Sequence, residues 1–133
     1  MSVTVTVILR ILLAVALGAI IGYQREREGK PAGLRTHTLI CLGASLFTVA
    51  SLYGFGITSD PSRVAAGIVA GIGFLGAGAI MHREGGIVEG LTTAATIWAV
   101  AAIGLTAGAG LYVVSAVATA VILGVLYLPH PIR

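Results

Sequence analysis

The sequence predicts an all-α membrane protein, a single domain over residues 1–133 built as a bundle of about five transmembrane helices. Three observations carry this reading. Of the 133 residues 57% are hydrophobic and only 10% charged, with a mean hydropathy of +1.03. A soluble domain carries about 25% charged residues, so this chain lacks the means to cover a water-facing surface. Second, Val64 to Met81 runs without a charge. At 1.5 Å per helical residue that run is about 27 Å long, close to one hydrocarbon core. Third, similar apolar runs recur along the chain, and most of the charged residues gather between them.

Composition also excludes function classes. The net charge is +3 and the pI about 9.5. The basic residues lie between apolar spans, which suits lipid headgroups and the cytoplasmic bias of positive charge, and gives no sign of nucleic acid. Cys41 is alone, so no intrachain disulfide and no cysteine-rich metal site is expected, and it reads as a small core residue. No nucleophile–base pair or ligand cluster stands at a recognisable spacing, so no enzyme, cofactor or metal is expected. Ser2 to Gly22 lacks a positively charged leader and reads as a retained first helix.

The first span is about 5–23. Begun after Arg10 it would be about 13 residues, too short to cross, so Arg10 falls within it. Arg10 either snorkels to the nearer interface or is a buried cation paired with a carboxylate or helix carbonyls. Gly18 and Gly22 form a GxxxG pair suited to close helix packing. Gln24 to His37 is the most charged stretch, with Arg25, Arg27, Lys30 and Arg35 against Glu26 and Glu28. Pro31 and Gly33 mark it as a loop, and its basic residues place it in the cytoplasm. The second span is about 38–56. Thr58-Ser59-Asp60-Pro61 then reads as a turn, with Ser59 or Asp60 capping the next helix.

The third span, 64–81, is rich in glycine. Gly67, Gly71 and Gly78 share one face, and Gly73 and Gly76 form a second edge. An interior glycine costs about 1 kcal/mol in a helix in water. In lipid it lets a neighbouring backbone come close, so the span is expected to be buried, central and the packing axis of the bundle. Gly71 to Gly76 matches the GxGxxG of dinucleotide-binding turns. It lies mid-span, without a preceding strand, and Glu89 comes too early to hold a ribose.

His82 to Gly90 is expected to be a short polar loop carrying Arg83, Glu84 and Glu89. The fourth span, 91–107, holds Thr92, Thr93, Thr96 and Trp98, with Ala95, Ala99 and Ala102 as its small-residue face. Gly108-Ala109-Gly110 reads as a tight turn into an antiparallel fifth span, 111–128. That span carries Ala116, Ala120 and Gly124, with Tyr112 and Tyr127 as interfacial anchors. Five spans with the first loop inside put the N-terminus outside and the C-terminus inside. Arg25, Arg27, Lys30, Arg35, Arg83 and Arg133 are then cytoplasmic, with Arg10 and Arg63 towards the other side.

Three blocks in order, GAIIGYQRERE…KPAGLRTHTLICLGA, DPSRVAAGIVAGIGFLGAGAI and GLTTAATIWAVAAIGLTAGAG, resemble the transmembrane domain of the MgtC/SapB family from about Gly18 to Tyr112. The sequence departs from the family pattern at Gln24, Gly67 and Glu89. Larger members add a cytoplasmic ACT-like domain, so the chain reads as a short or truncated member. The resemblance implies a multi-pass protein of the bacterial inner membrane, linked to growth at low magnesium, to virulence-associated stress adaptation and to restraint of the proton-driven ATP synthase.

Two functions follow. One is a non-catalytic regulator that contacts ATP synthase membrane subunits or another membrane protein through its helices, with homodimerisation plausible on the same small-residue faces. The other is a small transporter or channel for Mg²⁺ or another ion or solute. A Mg²⁺ path needs carboxylate oxygens, and all five acids of the chain fall at span ends, which speaks against transport. The polar candidates are Arg25, Glu26, Arg35, Thr36 and His37 at the cytoplasmic entry, Asp60 and Arg63 as an ion pair or cap, and Thr92, Thr93 and Trp98. The helix-packing candidates are Gly18, Gly22, Gly67, Gly71, Gly73, Gly76 and Gly78.

Overall fold

A computed structural model describes residues 2–82 and 88–129. The expectations for Arg83, Glu84 and Arg133, and for the side chain of Glu89, lie outside the described residues. Among the described residues five helices carry the fold: α1 (Val3–Arg27), α2 (Leu34–Tyr53), α3 (Ser62–Ala79), α4 (Leu91–Gly108) and α5 (Tyr112–Leu126). Between α3 and α4, where a polar loop is expected, β1 (Met81–His82) and β2 (Val88–Glu89) pair antiparallel. Gly90, at φ +91°, turns the chain out of this hairpin with its Cα against the Ala79 carbonyl.

Helix ends follow from local chemistry. Ser2 Oγ accepts from the Val5 N–H at 3.2 Å and starts α1. α1 then runs through the charged stretch to Arg27, so the expected loop from Gln24 to His37 shrinks to the residues between Arg27 and Leu34. QRER contains good helix formers, and the first breaker is Gly29, at φ +70°. Arg25 and Arg27 in the last turn also complement the helix dipole. α2 opens under Glu26, whose Oε1 accepts from the Leu34 N–H at 3.1 Å. It closes at Tyr53, short of the expected 56, because Gly54 and Gly56 follow.

Four helices, α1 to α4, are long and apolar enough to cross a membrane. α5 has 15 residues, about 22 Å, and is shorter than the expected 111–128. It nevertheless runs beside α1 from Arg10, which meets Tyr112, to a groove shared by Tyr23 and Tyr127. Direction alternates from helix to helix, with α1, α3 and α5 one way and α2 and α4 the other.

The centre of the bundle is α1, α2 and α4. α4 touches all four other helices and buries Val100, Ala101, Ile103, Gly104, Ala107 and Gly108. Glycines set these contacts. A Cβ on Gly18 would stand 2.6 Å from Cys41 Cβ, and one on Gly22 2.8 Å from Leu34 Cα. A Cβ on Gly104 would overlap the Cys41 carbonyl oxygen, and one on Gly108 would lie 2.8 Å from the Ser45 carbonyl oxygen. At each site only hydrogen lets the backbones approach.

This corrects two expectations. α3 is peripheral, with only Ile72 and Gly76 buried, and its main contacts are with α4 and α2. Gly67, Gly71, Gly73 and Gly78 meet nothing within 4 Å, and Gly76 makes only an ordinary 3.7 Å contact with Ala94. The small face of α4 that packs is Gly104–Gly108, whereas Ala95 and Ala102 are exposed. Ala116, Ala120 and Gly124 of α5 likewise point outward. The physical reason is shared: a stripe of small residues fits another helix equally well inside the chain or outside it, and local spacing does not distinguish the two.

Candidate functional site

One end of the bundle concentrates the buried polar groups. There the C-terminal turn of α1 meets the first turns of α2 and α4. Arg25 is 3% exposed, and its Nη2 donates to Thr93 Oγ1 at 2.6 Å. His37 is fully buried, with Nδ1 2.9 Å from the Gly33 carbonyl. A carbonyl only accepts, so Nδ1 carries the hydrogen and Nε2 of the neutral ring is left as an acceptor. Arg25 is the charged group near enough to act on that ring. Four buried atoms at this end have no hydrogen-bond partner among the described residues: Gln24 Oε1, Arg25 Nε, His37 Nε2 and Thr38 Oγ1. Buried polar groups are satisfied in the great majority of cases, so this concentration makes the end the candidate site.

Elsewhere Ser51 Oγ donates to the Pro61 carbonyl, outside α2, at 3.1 Å, and other buried hydroxyls are satisfied by their own helices. Thr48 Oγ1 donates to the Ala44 carbonyl at 2.8 Å, Thr96 Oγ1 to Thr92 at 2.7 Å and Thr119 Oγ1 to Ser115 at 2.8 Å. Thr93 differs because Arg25 reaches it from another helix.

The opposite end is organised by Arg10. Its Nε donates to Tyr112 Oη at 3.2 Å and its Nη1 to the Gly108 carbonyl at 3.1 Å. The guanidinium also lies 5.4 Å from the Tyr53 ring centroid. Arg10 is only partly buried at this end of the bundle, so it reaches the interface, as the snorkelling reading has it, and bonds a helix carbonyl there. Nearby, Asp60 Oδ1 accepts from the Ser62 N–H at 3.0 Å and the Ser62 hydroxyl at 2.7 Å. Asp60 is therefore a cap for α3, and the alternative ion pair with Arg63 is not formed. The Ser62 hydroxyl, then its N–H, hold the Asp60 carboxyl below the ordinary value of 3.8.

The candidates thus divide. Arg25, His37 and Thr93 are brought together; Glu26 caps α2; Arg35, Thr36 and Thr92 are exposed, and so is Trp98. Sequence reasoning missed Gln24 and Thr38 as site residues and Gly104 and Gly108 as packing residues. A four-residue glycine spacing is the signal that could have found the last pair. Among the described residues no group of three His, Cys, Asp or Glu side chains could hold a metal ion.

Two grooves open on the flanks. One, of about 600 Å³, lies between α2 and α3 and is lined by Phe47, Ile68, Leu75 and neighbours, with Gly67 and Gly71 in its wall. The other, of about 630 Å³, lies between α1 and α5 beside Gln24, Arg27 and Tyr127.

A five-helix membrane bundle with this arrangement was compared with known proteins. The sequence model of the MgtC family matches residues 11–133. The chain belongs to the MgtC family. Relatives include YhiD of Escherichia coli K12, 53% identical over 109 residues that make up 77% of this chain and 50% of that protein. MgtC of Brucella abortus is 51% identical over 119 residues, 90% of this chain and 49% of that protein. SrpB of Synechococcus elongatus is 43% identical over 122 residues, 83% of this chain and 67% of that protein. The chain therefore spans about half the length of the first two relatives. No solved structure matches it. Family membership and four long apolar helices make it a multi-pass membrane protein.

Proposed function

We propose that this MgtC-family chain is a non-catalytic regulator in the bacterial inner membrane, acting on another membrane protein through helix contacts made by α3 and the α2–α3 groove. The observation that carries the reading is the open glycine face of α3, where a Cβ added at Gly67, Gly71 or Gly78 would meet nothing within 4 Å. Glycines facing acyl chains only weaken a helix, whereas facing another helix they permit backbone approach. The membrane subunits of the proton-driven ATP synthase are the partner that the family resemblance implies, and a second copy of the chain is the other occupant. Arg25, Arg27, Lys30 and Arg35 gather at one end, which supports a cytoplasmic position for that end and an outside N-terminus.

The test is co-purification in mild detergent from the native membrane. The wild-type chain is expected to bring down ATP synthase membrane subunits, and Gly71→Leu to lose them while keeping its own elution position. Absence of those subunits from the wild-type preparation overturns the partner.

A second reading is Mg²⁺ transport, which the descriptive name of the Escherichia coli relative attaches to that protein. Against it, the described acids Glu26, Glu28 and Asp60 are exposed at helix ends, and the buried charge is a cation, Arg25. A guanidinium repels a divalent cation, and Mg²⁺ sites use carboxylates. Ion flux into proteoliposomes containing only this chain, abolished by Asp60→Ala, would replace the regulator with a transporter.

A further inference from the structure

The groove between α1 and α5 has features that helix packing leaves unused. Its floor is apolar, from Ile20 and Leu123, and its rim is formed by Tyr23, Tyr127, Arg27 and Glu28. Gln24 lines it too, is 6% exposed, and has an Oε1 with no hydrogen-bond partner among the described residues. The rim offers a cation, Arg27, held over the Tyr23 ring at 5.8 Å, next to an anion, Glu28. Paired tyrosines belong at the depth of the lipid headgroups.

We propose that this groove binds one phospholipid with a phosphate and a primary ammonium in its headgroup, that is, a phosphatidylethanolamine. The phosphate meets Arg27, the ammonium donates to Glu28, and the upper part of an acyl chain lies along Ile20 and Leu123. The charges select among headgroups. Phosphatidylcholine offers the same charges but no N–H to donate. Phosphatidylglycerol has no cation to set against Glu28. The inference is independent of the partner proposed for α3, since it concerns the opposite flank.

The purified chain, titrated in detergent with phosphatidylethanolamine, phosphatidylcholine and phosphatidylglycerol of identical acyl chains, is read by native mass spectrometry as lipids bound per chain. Phosphatidylethanolamine is expected to bind about tenfold more tightly than either competitor, the factor expected of a hydrogen bond to a charged group. Glu28→Gln is expected to bring it down towards the phosphatidylcholine level, and Arg27→Gln to weaken all three lipids. Glu28 is exposed, so Glu28→Gln leaves the fold intact and carries the test by itself. Equal binding of phosphatidylethanolamine and phosphatidylcholine, a preference for phosphatidylglycerol, or an ethanolamine preference unchanged in Glu28→Gln would each overturn the proposal.

Discussion

Arg10 and Arg25 sit at opposite ends of α1 and do different things. Arg10 ties the end of α4 to the start of α5 through the Gly108 carbonyl and Tyr112. It also places a cation at a helix C-terminus. Arg10→Met is expected to lower stability by about 1–2 kcal/mol, the sum of a charged hydrogen bond and a dipole contact at partial exposure. The fall should show in thermal unfolding in detergent, with Tyr112→Phe losing less. Arg25 was legible as a polar candidate in a loop at the cytoplasmic entry, but not as a buried cation, because its partner Thr93 is 68 residues away and no local pattern announces the burial. Arg25→Met is expected to be better tolerated than Arg25→Glu, which would bury an anion where a cation now donates to Thr93. Asp60 gives a pH prediction. Its carboxyl is held low by Ser62, so its contribution is present above the ordinary carboxyl value and is lost as pH falls through the lower folded value. Ser62→Ala should therefore reduce stability at pH 7 and make no difference below that folded value, as measured by melting temperature across an acid titration.

At the level of elements, the bundle core is set by four glycines on two interfaces, Gly18 and Gly22 between α1 and α2, and Gly104 and Gly108 between α4 and α2. Gly104→Val would force branched carbons into the Cys41 carbonyl and the Ala44 methyl. A loss of about 3 kcal/mol or failure to fold is expected, by overpacking. Gly73→Ala, on the open face of α3, is expected to leave folding unchanged or slightly firmer by its gain in helix propensity. The comparison is made by yield and unfolding of the two purified variants. The number and order of helices were legible because apolar runs and breakers are local. Which small-residue face meets which helix was not. The glycines of α3 outnumber those of α4, yet α4 holds the centre, since its neighbours on both sides in sequence fold back against it.

For the whole molecule, the account is a compact α1–α2–α4 core flanked by two helices with different exposed faces. α5 presents valines, including Val113, Val117, Val121 and Val125, as a surface suited to lipid chains. α3 presents glycine and lines an apolar groove with α2. The central claim is that the α3 face meets protein in the membrane. It is tested most directly by placing a photocrosslinking amino acid at Gly71 and, as a lipid-facing control, at Val117, and irradiating intact bacterial cells. The account predicts a discrete protein adduct from Gly71 and none from Val117. Lipid adducts alone from both positions would contradict it.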